Sequence, residues 1–338
     1  MRYDTSAVVR TAARYTLGPR SPGGRVLRLR TQPKLACLGD LTMDIVVGAQ
    51  SAAVPGTDVP GTIRFRAGGS AANTARAFAA LGGDASFIGA VGSDELGGRL
   101  IAALRAYGVT VHAVRVRGLS ARLVALLSND GERSFITDRG VAEALPADAV
   151  KDSWISRIDA LHVPAYSLIG GPLAAASIAA IHRARDGGAL ISIDLASACP
   201  LLSRGRRAAS HLIRSAAPDI LFANATEAAA LVGPSSVSKL LDFAPIAVVK
   251  QGSGGGRVLW SGERGGEALQ AMVATKPLSA ADTTGAGDAF DAGFLHSLIA
   301  SGYRRGAQRN ATVLRRAALA GHRAAARLLS GTRKELLT

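Results

Sequence analysis

One stretch, residues 282–294, constrains the fold of this chain more than any other; it reads Asp-Thr-Thr-Gly-Ala-Gly-Asp-Ala-Phe-Asp-Ala-Gly-Phe. A glycine loop here runs into apolar residues at helical spacing, which predicts a helix that begins at the loop. The N–H groups of Gly285, Ala286 and Gly287 then point to one spot and form an anion-binding site. Asp288 lies beside it, where a carboxylate can take a proton from a hydroxyl. A helix start with a capping Asp is the alternative, and the length of the motif favours the catalytic interpretation.

These thirteen residues resemble the second signature of the PfkB, or ribokinase-like, family of carbohydrate and nucleoside kinases. The resemblance implies in-line transfer of the γ-phosphate of ATP to a primary hydroxyl of the substrate. Asp288 is then the catalytic base, and the N–H groups of Gly285, Ala286 and Gly287 stabilise the developing charge. The same loop, with Thr283, Gly285 and Gly287, is then expected to contact the nucleotide, and Asp282 to help bind a monovalent cation such as K⁺.

The composition predicts one large globular domain. The chain has 338 residues, of which 48% are hydrophobic and 4% aromatic, enough to bury a substantial core. No apolar run approaches the roughly 20 residues that span a membrane, so we expect no membrane partner. The two cysteines, Cys37 and Cys199, lack metal-ligand spacing and favour a reducing, cytoplasmic compartment.

The net charge of +15 raises nucleic-acid binding as an alternative. The positive charge is mostly arginine and is concentrated in residues 1–34 and 304–334. No aromatic platform accompanies it, so a solvated basic surface is favoured and a nucleic-acid partner is not expected. We expect residues 1–34 to form a basic, flexible tail, residues 35–331 the kinase domain and residues 332–338 a C-terminal tail.

Two acidic residues follow the first apolar strand pattern, residues 35–38. Asp40 and Asp44 are expected at the carboxyl end of this strand, where parallel α/β sheets bind ligands. Carboxylates there can accept hydrogen bonds from two sugar hydroxyls, although a turn Asp and a helix-cap Asp are the alternative. The position resembles the family's first substrate-binding segment, which favours substrate binding.

A second glycine loop, Gly68-Gly69, enters another helical pattern and is followed by Asn73. It resembles the family's first signature, and the resemblance implies that the sugar lies against the glycine backbone. Asn73 offers both a donor and an acceptor from the first helical turn. An ordinary turn between a strand and a helix would also use glycine.

The rest of the chain alternates strand and helix patterns, which predicts a mainly parallel sheet. The fold class is therefore α/β, and the resemblance implies a ribokinase-like three-layer α/β/α architecture with a small β-sheet lid. Lid strands are expected from residues 48–67 and 111–137, with a hairpin at Asp130-Gly131. Related kinases often pair through this lid, so a homodimer is a further expectation.

Two later segments carry the remaining residues that we expect to bind the nucleotide and Mg²⁺. Asn224 and Glu227 stand three residues apart at a helix start, where they match the family's metal-associated motif and could hold a hydrated Mg²⁺; a capping pair is the alternative. Lys250 ends a strand and either contacts phosphate or is solvated. Gly252 follows in a turn that resembles the one beneath the adenine nucleotide in the family.

The chain departs from ribokinase-type members in three places. It has Gly140-Val141-Ala142 for Gly-Ala-Asn, Pro164-Ala165-Tyr166 where a sugar-binding Glu is usual, and Asp194-Leu195-Ala196 without the common Asn. These departures disfavour ribose and leave the phosphoryl-transfer motifs intact. The lid also carries several arginines, which suggest an anionic sugar as substrate or a solvated basic face; they are Arg64, Arg66, Arg133 and Arg139.

Three functions follow from these observations. An ATP-dependent sugar kinase is favoured. A nucleoside kinase of the same family is the alternative, which the low aromatic content disfavours. A non-catalytic ligand sensor or nucleic-acid-associated protein on a kinase fold is the third, which the intact Asp288 and Glu227 disfavour.

Overall fold

A computed structural model describes residues 32–49, 51, 55–127, 133–262, 268–276, 282–331, 335 and 336. All of them belong to one compact unit, Gln32–Thr338. The expectations for residues 1–31 and for the hairpin at Asp130-Gly131 fall outside the described residues and stay predictions.

A nine-stranded sheet forms the centre of the fold, in the order β13-β12-β11-β10-β9-β8-β1-β4-β5. The seven strands β11, β10, β9, β8, β1, β4 and β5 pair in parallel. Strands β12 and β13 extend the sheet beyond β11 and pair antiparallel. The central strands read as continuous apolar runs because helices cover both of their faces. The strands are β1 Lys34–Leu38, β4 Asp84–Gly92, β5 Thr110–Val116, β8 Ala160–Pro164, β9 Leu190–Asp194, β10 Ile220–Asn224, β11 Ile246–Lys250, β12 Gly256–Ser261 and β13 Ala268–Val273.

Helices pack on both faces of this sheet and divide the core in two. One cluster includes Phe78 and Phe294 and the other Leu173 and Ile213, on opposite faces because successive strand residues point to opposite sides. The predicted three-layer α/β/α fold is confirmed. The helices are α1 Ser70–Ala80, α2 Glu95–Arg105, α3 Asp152–Ile155, α4 Gly171–Asp186, α5 Ala198–Leu202, α6 Arg206–Ala216, α7 Ala225–Val232, α8 Ala286–Ala300 and α9 Ala311–Ser330.

A separate four-stranded sheet forms the lid, in the order β3-β2-β6-β7. Its strands are β2 Thr42–Ala49, β3 Gly61–Gly68, β6 Ala121–Leu127 and β7 Arg133–Asp138.

Two of the expectations about strand positions are wrong. Residues 111–117 were expected in the lid, but Thr110–Val116 forms the edge of the large sheet and pairs with β4. An edge strand is covered on fewer sides than a central one, so its polar and apolar residues mix as they do in a lid strand. Asp44 was expected at the end of a sheet strand, whereas it lies within lid strand β2, opposite Arg66.

The described end of the chain contacts the lid at its edge strand, β3. The N–H of Phe65 donates to Glu335 Oε2 at 3.1 Å, and the N–H of Leu336 donates to the carbonyl oxygen of Phe65 at 2.7 Å. These residues were expected in a C-terminal tail. They instead satisfy backbone groups that an edge strand otherwise leaves unpaired.

Candidate active site

A cavity of about 660 Å³ lies where the lid faces the carboxyl ends of the parallel strands, as expected for an open α/β sheet. Of the residues predicted to bind sugar, nucleotide or Mg²⁺, Gly68 does not line it, and Asp282, predicted to bind a monovalent cation, does not either. Asp44 covers Gly68, and a methyl group there would overlap the Asp44 carboxylate. The predicted residues that line the cavity are Asp40, Asp44, Gly69, Asn73, Asn224, Glu227, Lys250, Gly252, Thr283, Gly285, Ala286, Gly287 and Asp288.

The glycine loop turns into α8 as the sequence predicts. Gly285 has φ +76° and no side chain caps the helix, so the first turn leaves N–H groups for a ligand. The N–H of Ala286 is an exception, because it donates to the carbonyl oxygen of Thr283 at 3.1 Å. Gly285 and Gly287 are therefore the better candidates for anion binding. Asp282 braces the loop by accepting the N–H of Thr284 at 2.9 Å.

Asp288 is held by two donors from α1. Ser70 Oγ donates to Asp288 Oδ1 at 2.7 Å, and Asn73 Nδ2 donates to Oδ2 at 2.9 Å. Burial raises the pKa of Asp288 to about 6, although both hydrogen bonds favour the charged form and limit the rise. Ser70 was not predicted as a site residue; its place at the start of a glycine-loop helix was the available signal.

Two buried carboxyl groups lie at the lid end of the cavity. Asp44 Oδ1 accepts a hydrogen bond from Thr42 Oγ1 at 2.6 Å. Burial raises the pKa of Asp44 to about 7; the Thr42 bond opposes this rise and the charge of Asp40 adds to it. Asp40 accepts a hydrogen bond from the hydroxyl of Tyr166, and burial raises the Asp40 pKa as well. Both carboxylates can still accept hydroxyl hydrogens from a ligand.

Tyr166 and Arg139, which are 27 positions apart in the sequence, form a pair in the structure. The Arg139 guanidinium lies over the Tyr166 ring, 4.5 Å from its centre, and its Nε lies 3.2 Å from Glu143 Oε1. Within the described part of the chain, Arg139 Nη1 is buried without a hydrogen-bond partner. Both residues line the cavity together with Asp40, to which the Tyr166 hydroxyl donates.

Asn224 and Glu227 form the capping pair that the sequence left as an alternative. Asn224 Oδ1 accepts the N–H of Glu227, and both Glu227 carboxylate oxygens accept hydrogens from Asn224, all at 2.8 Å. Burial and then the charge of Asp194 raise the pKa of Glu227 to about 7. These mutual hydrogen bonds, a capping box, fix the Glu227 side chain at the cavity wall. Each carboxylate oxygen has a second lone pair that can accept a hydrogen from a water ligand of Mg²⁺.

Lys250 is paired rather than solvated. Its Nζ lies 3.1 Å from Asp194 Oδ2 and 3.0 Å from Asp291 Oδ2. Burial by itself lowers the pKa of Lys250, but the charges of Asp194, Asp291 and Glu227 outweigh it and raise the pKa above the usual value. Lys250 nevertheless lines the cavity close to Gly287.

The far end of the cavity is formed by the turn Gly252–Gly254 and by α9. Gly252 has φ +57°, a conformation that glycine adopts without strain. Ala325, Ala326 and Leu329 of α9 line the cavity as well. This end therefore offers apolar side chains and open backbone, the usual surroundings of a planar base.

Together, the three-layer fold, the lid and the Asp288–glycine loop define a phosphotransferase that uses an alcohol group as acceptor. Residues 32–332 match the family model described as pfkB family carbohydrate kinase. The chain belongs to this family and is an ATP-dependent sugar kinase. In the part of the chain that the structure describes, no helix is long and apolar enough to cross a membrane.

Proteins similar to this chain include kinases named for different substrates. An ATP-dependent ribose-1-phosphate kinase from Halopiger xanaduensis is 34% identical over 255 residues, which are 74% of this chain and 80% of that protein. A "Probable fructokinase-7" from Arabidopsis thaliana is 31% identical over 78% of each chain. The adenosine kinase structure from Sinorhizobium meliloti superposes with a TM-score of 0.74 at 25% identity, over 89% of this chain and 95% of that one.

Proposed function

We propose that this protein phosphorylates a primary hydroxyl of a sugar with Asp288 as the catalytic base. The observation that carries the proposal is the position of Asp288, which Ser70 and Asn73 hold by two hydrogen bonds at the N-terminal turn of α8. A carboxylate with a pKa of about 6 is mostly ionised at neutral pH and is a better base than an ordinary Asp. The adjacent Gly285 and Gly287 N–H groups would stabilise charge on the transferred phosphoryl group.

The residues present fit a hydrated Mg²⁺. Asp194 Oδ1 is buried without a hydrogen-bond partner in the described part of the chain, and it lines the cavity with Asn224 and Glu227. No group of three or more Asp, Glu, His or Cys forms a ready cage among the described residues, which agrees with an ion held mainly by water and phosphate. When bound, Mg²⁺ neutralises phosphate charge; Glu227, Asn224 and Asp194 would orient its water ligands.

A monovalent cation near Asp282 stays a prediction from the family resemblance. In the structure Asp282 forms an ion pair with Arg66 of lid strand β3. The two side chains are only 14% and 15% exposed, so the guanidinium already offsets the Asp282 charge. K⁺ would have to displace the Arg66 guanidinium in order to bind Asp282. A comparison of turnover in K⁺, Na⁺ and Tris buffers tests this, and equal rates in the three would contradict a K⁺ site.

For the acceptor we propose a sugar phosphate in preference to a neutral sugar. Arg64 forms an ion pair with Glu335, and Arg66 forms one with Asp282. The Arg133 side chain lies outside the described residues. Arg139 lines the cavity together with Asp40 and has a buried Nη1 that has no hydrogen-bond partner among the described residues. An anionic substituent would give this group a charge-assisted hydrogen bond. The ribose-1-phosphate kinase relative supports the same class.

A nucleoside is the second candidate acceptor. Tyr166 and Phe135 line the same cavity and could stack on a base. The structural likeness to an adenosine kinase supports testing it.

Turnover of ATP with Mg²⁺ tests the proposal, with pentoses, hexoses, pentose 1-phosphates, sugar acids and nucleosides as acceptors. We expect one acceptor class to give ADP, with a sugar phosphate fastest, and Asp288→Asn to abolish the reaction. Arg139→Met should raise KM for a sugar phosphate about tenfold or more and leave KM for a neutral sugar unchanged. No turnover on any acceptor, with ATP still binding, would favour the ligand sensor.

We also propose a homodimer through the lid. Two large apolar side chains share the face of the lid opposite Phe135 and are well exposed, Ile63 of β3 at 62% and Ile136 of β7 at 64%. Exposed apolar surface of this kind often marks an interface. Light scattering should give a dimer for the native chain and a monomer for Ile63→Lys with Ile136→Lys; a native monomer would contradict the proposal.

A cytoplasmic location likewise stays a prediction, which cell fractionation tests.

A further inference from the structure

A cation with no place in the proposed reaction lies behind the catalytic carboxylate. Arg76 stands one helical turn after Asn73 on α1. Its Nη2 donates to Asn73 Oδ1 at 2.8 Å, and its Nη1 donates to the carbonyl oxygen of Ala67 at 3.2 Å. The guanidinium also lies over the ring of Tyr107, 5.2 Å from its centre. Three contacts therefore fix the orientation of Arg76.

The contact with Asn73 decides which way the amide points. Arginine has only donors, so it must face the amide oxygen of Asn73. The amide nitrogen is then turned to Asp288 Oδ2, 2.9 Å away. With the amide reversed, its oxygen would face the carboxylate, so Asp288 would lose a donor and meet a second acceptor.

Arg76 acts from outside the catalytic cavity. It lines a smaller cavity of about 220 Å³, whereas it does not line the larger one. The two cavities share four lining residues, Asp44, Asn73, Thr284 and Gly285. Of these, Asn73 is buried and contacts both Arg76 and the catalytic carboxylate, so it is the link through which Arg76 can act on the reacting groups.

We propose that Arg76 is a positioning residue that locks the Asn73 amide so that its N–H₂ group holds Asp288 as an oriented, ionised base. The inference rests on the proposed role of Asp288. It assigns to Arg76 a function that does not require the arginine to touch sugar or nucleotide.

Other charged groups surround Asp288 and set the background of its titration. Asp194 and Lys250 act on it directly, in opposite directions. Arg76 also favours the charged form of Asp44, so the test must separate the path through Asn73 from a direct effect on Asp44. The titratable groups that face Asp288 from the surrounding elements are Cys37, Asp44, Tyr166, Asp194, Glu227, Lys250 and Asp291.

The test compares pH profiles of kcat at saturating sugar, where Asp44 does not contribute through KM, for Arg76→Met, Arg76→Lys, Asn73→Ala and the double variant Arg76→Met with Asn73→Ala. Met keeps an apolar stem against Tyr107 and has no donor, whereas Lys keeps a donor for Asn73 Oδ1. We expect Arg76→Met to lower kcat about tenfold and to move the acid limb to higher pH, because the ionised base loses a donor. Arg76→Lys should restore most of both.

The double variant separates positioning from general electrostatics. If Arg76 acts through Asn73, its loss adds nothing to the acid limb once Asn73 is gone. An acid limb for Arg76→Met that equals the native one, or full additivity with Asn73→Ala, would overturn the inference. Should Arg76→Met not fold, Arg76→Gln takes its place, with a smaller shift expected in the same direction.

Asp288→Asn in the same assay separates the role of Asp288 as the base from the role of Arg76 as a positioning residue. If Asp288→Asn keeps native turnover, the proposed base is wrong and the role of Arg76 falls with it. If Asp288→Asn is inactive while Arg76→Met keeps the native profile, only the role of Arg76 is overturned.

Discussion

The ammonium group of Lys250 lies 3.1 and 3.0 Å from the two carboxylate oxygens of Asp291, whose side chain is fully buried. Asp291 belongs to the apolar face of α8, between Phe290 and Ala292. A carboxylate in such a position is stable only when it is paired. Lys250 therefore joins the end of β11 to the helix that carries Asp288, and it does so directly beneath the glycine loop.

We predict that Lys250→Met destabilises the fold by about 3–5 kcal/mol. The substitution leaves the carboxyl groups of Asp291 and Asp194 buried without their cation. Urea unfolding at pH 7 measures the change. Lys239→Met is the control, because Lys239 is exposed and its loss should change the free energy of unfolding by less than about 0.5 kcal/mol. Equal effects of the two substitutions would contradict a structural role for the Lys250 pair.

The carboxyl groups of the cavity predict a pH dependence with two separate limbs. A carboxyl group is charged above its pKa, so kcat should rise with pH through about 6 as Asp288 ionises. KM for the sugar should fall as pH rises through about 7, because the charged form of Asp44 is the stronger hydrogen-bond acceptor. Steady-state kinetics from pH 5 to pH 9 would resolve both limbs.

Asp44→Asn provides the control for these assignments. It should remove the pH dependence of KM near 7 and leave the kcat limb near 6 in place. A kcat limb that moves with Asp44→Asn would mean that Asp288 does not govern it alone.

Gly68→Ala is predicted to weaken sugar binding although Gly68 does not line the cavity. A methyl group at this position would overlap the Asp44 carboxylate, which must then leave its hydrogen bond with Thr42. We expect KM for the sugar to rise at least about tenfold, the effect of one lost hydrogen bond to a charged group, with kcat little changed. Saturation kinetics measures both.

Gly98→Ala is the matched control for this substitution. Gly98 lies inside α2, and a methyl group there meets only the flexible end of Arg115. The change should stabilise the helix by about 0.5–1 kcal/mol and leave KM unchanged. A similar rise in KM for both glycines would show that the Gly68 effect is not specific to Asp44.

Local sequence patterns predicted the main sheet, α8 and most cavity residues, because these depend on short-range regularities. Continuous apolar runs mark the parallel strands, and glycine followed by helical spacing marks the loop before Asp288. The place of Thr110–Val116 was predicted wrongly, because a partly covered edge strand and a lid strand share one pattern. The choice between them depends on tertiary pairing with β4.

Contacts between distant residues explain what the sequence did not reveal. Ser70 and Asp288 are 218 residues apart, and Tyr166 and Asp40 are 126 apart. Neither pair has a local signature, since each partner alone reads as an ordinary turn or helix residue. Asp291 was also hidden, because a single carboxylate in an apolar helix looks like a surface position until Lys250 is placed beside it.

The contact between Glu335 and Phe65 predicts that the end of the chain stabilises the lid. Glu335 Oε2 accepts the N–H of Phe65, and Leu336 donates to the carbonyl oxygen of the same residue. Hydrogen exchange of the peptide 61–68 should therefore become about tenfold faster in Glu335→Ala, the consequence of one lost hydrogen bond. Removal of residues 335–338 should accelerate it further.

Glu335→Gln separates the hydrogen bond from the charge. The Gln amide oxygen can still accept the N–H of Phe65, whereas the ion pair with Arg64 is lost. That pair is 4.0 Å long and its arginine is 56% exposed, so it should contribute little. We therefore expect native exchange rates in Glu335→Gln. If Glu335→Gln exchanges as fast as Glu335→Ala, the charge rather than the backbone hydrogen bond holds the end of the chain to the lid.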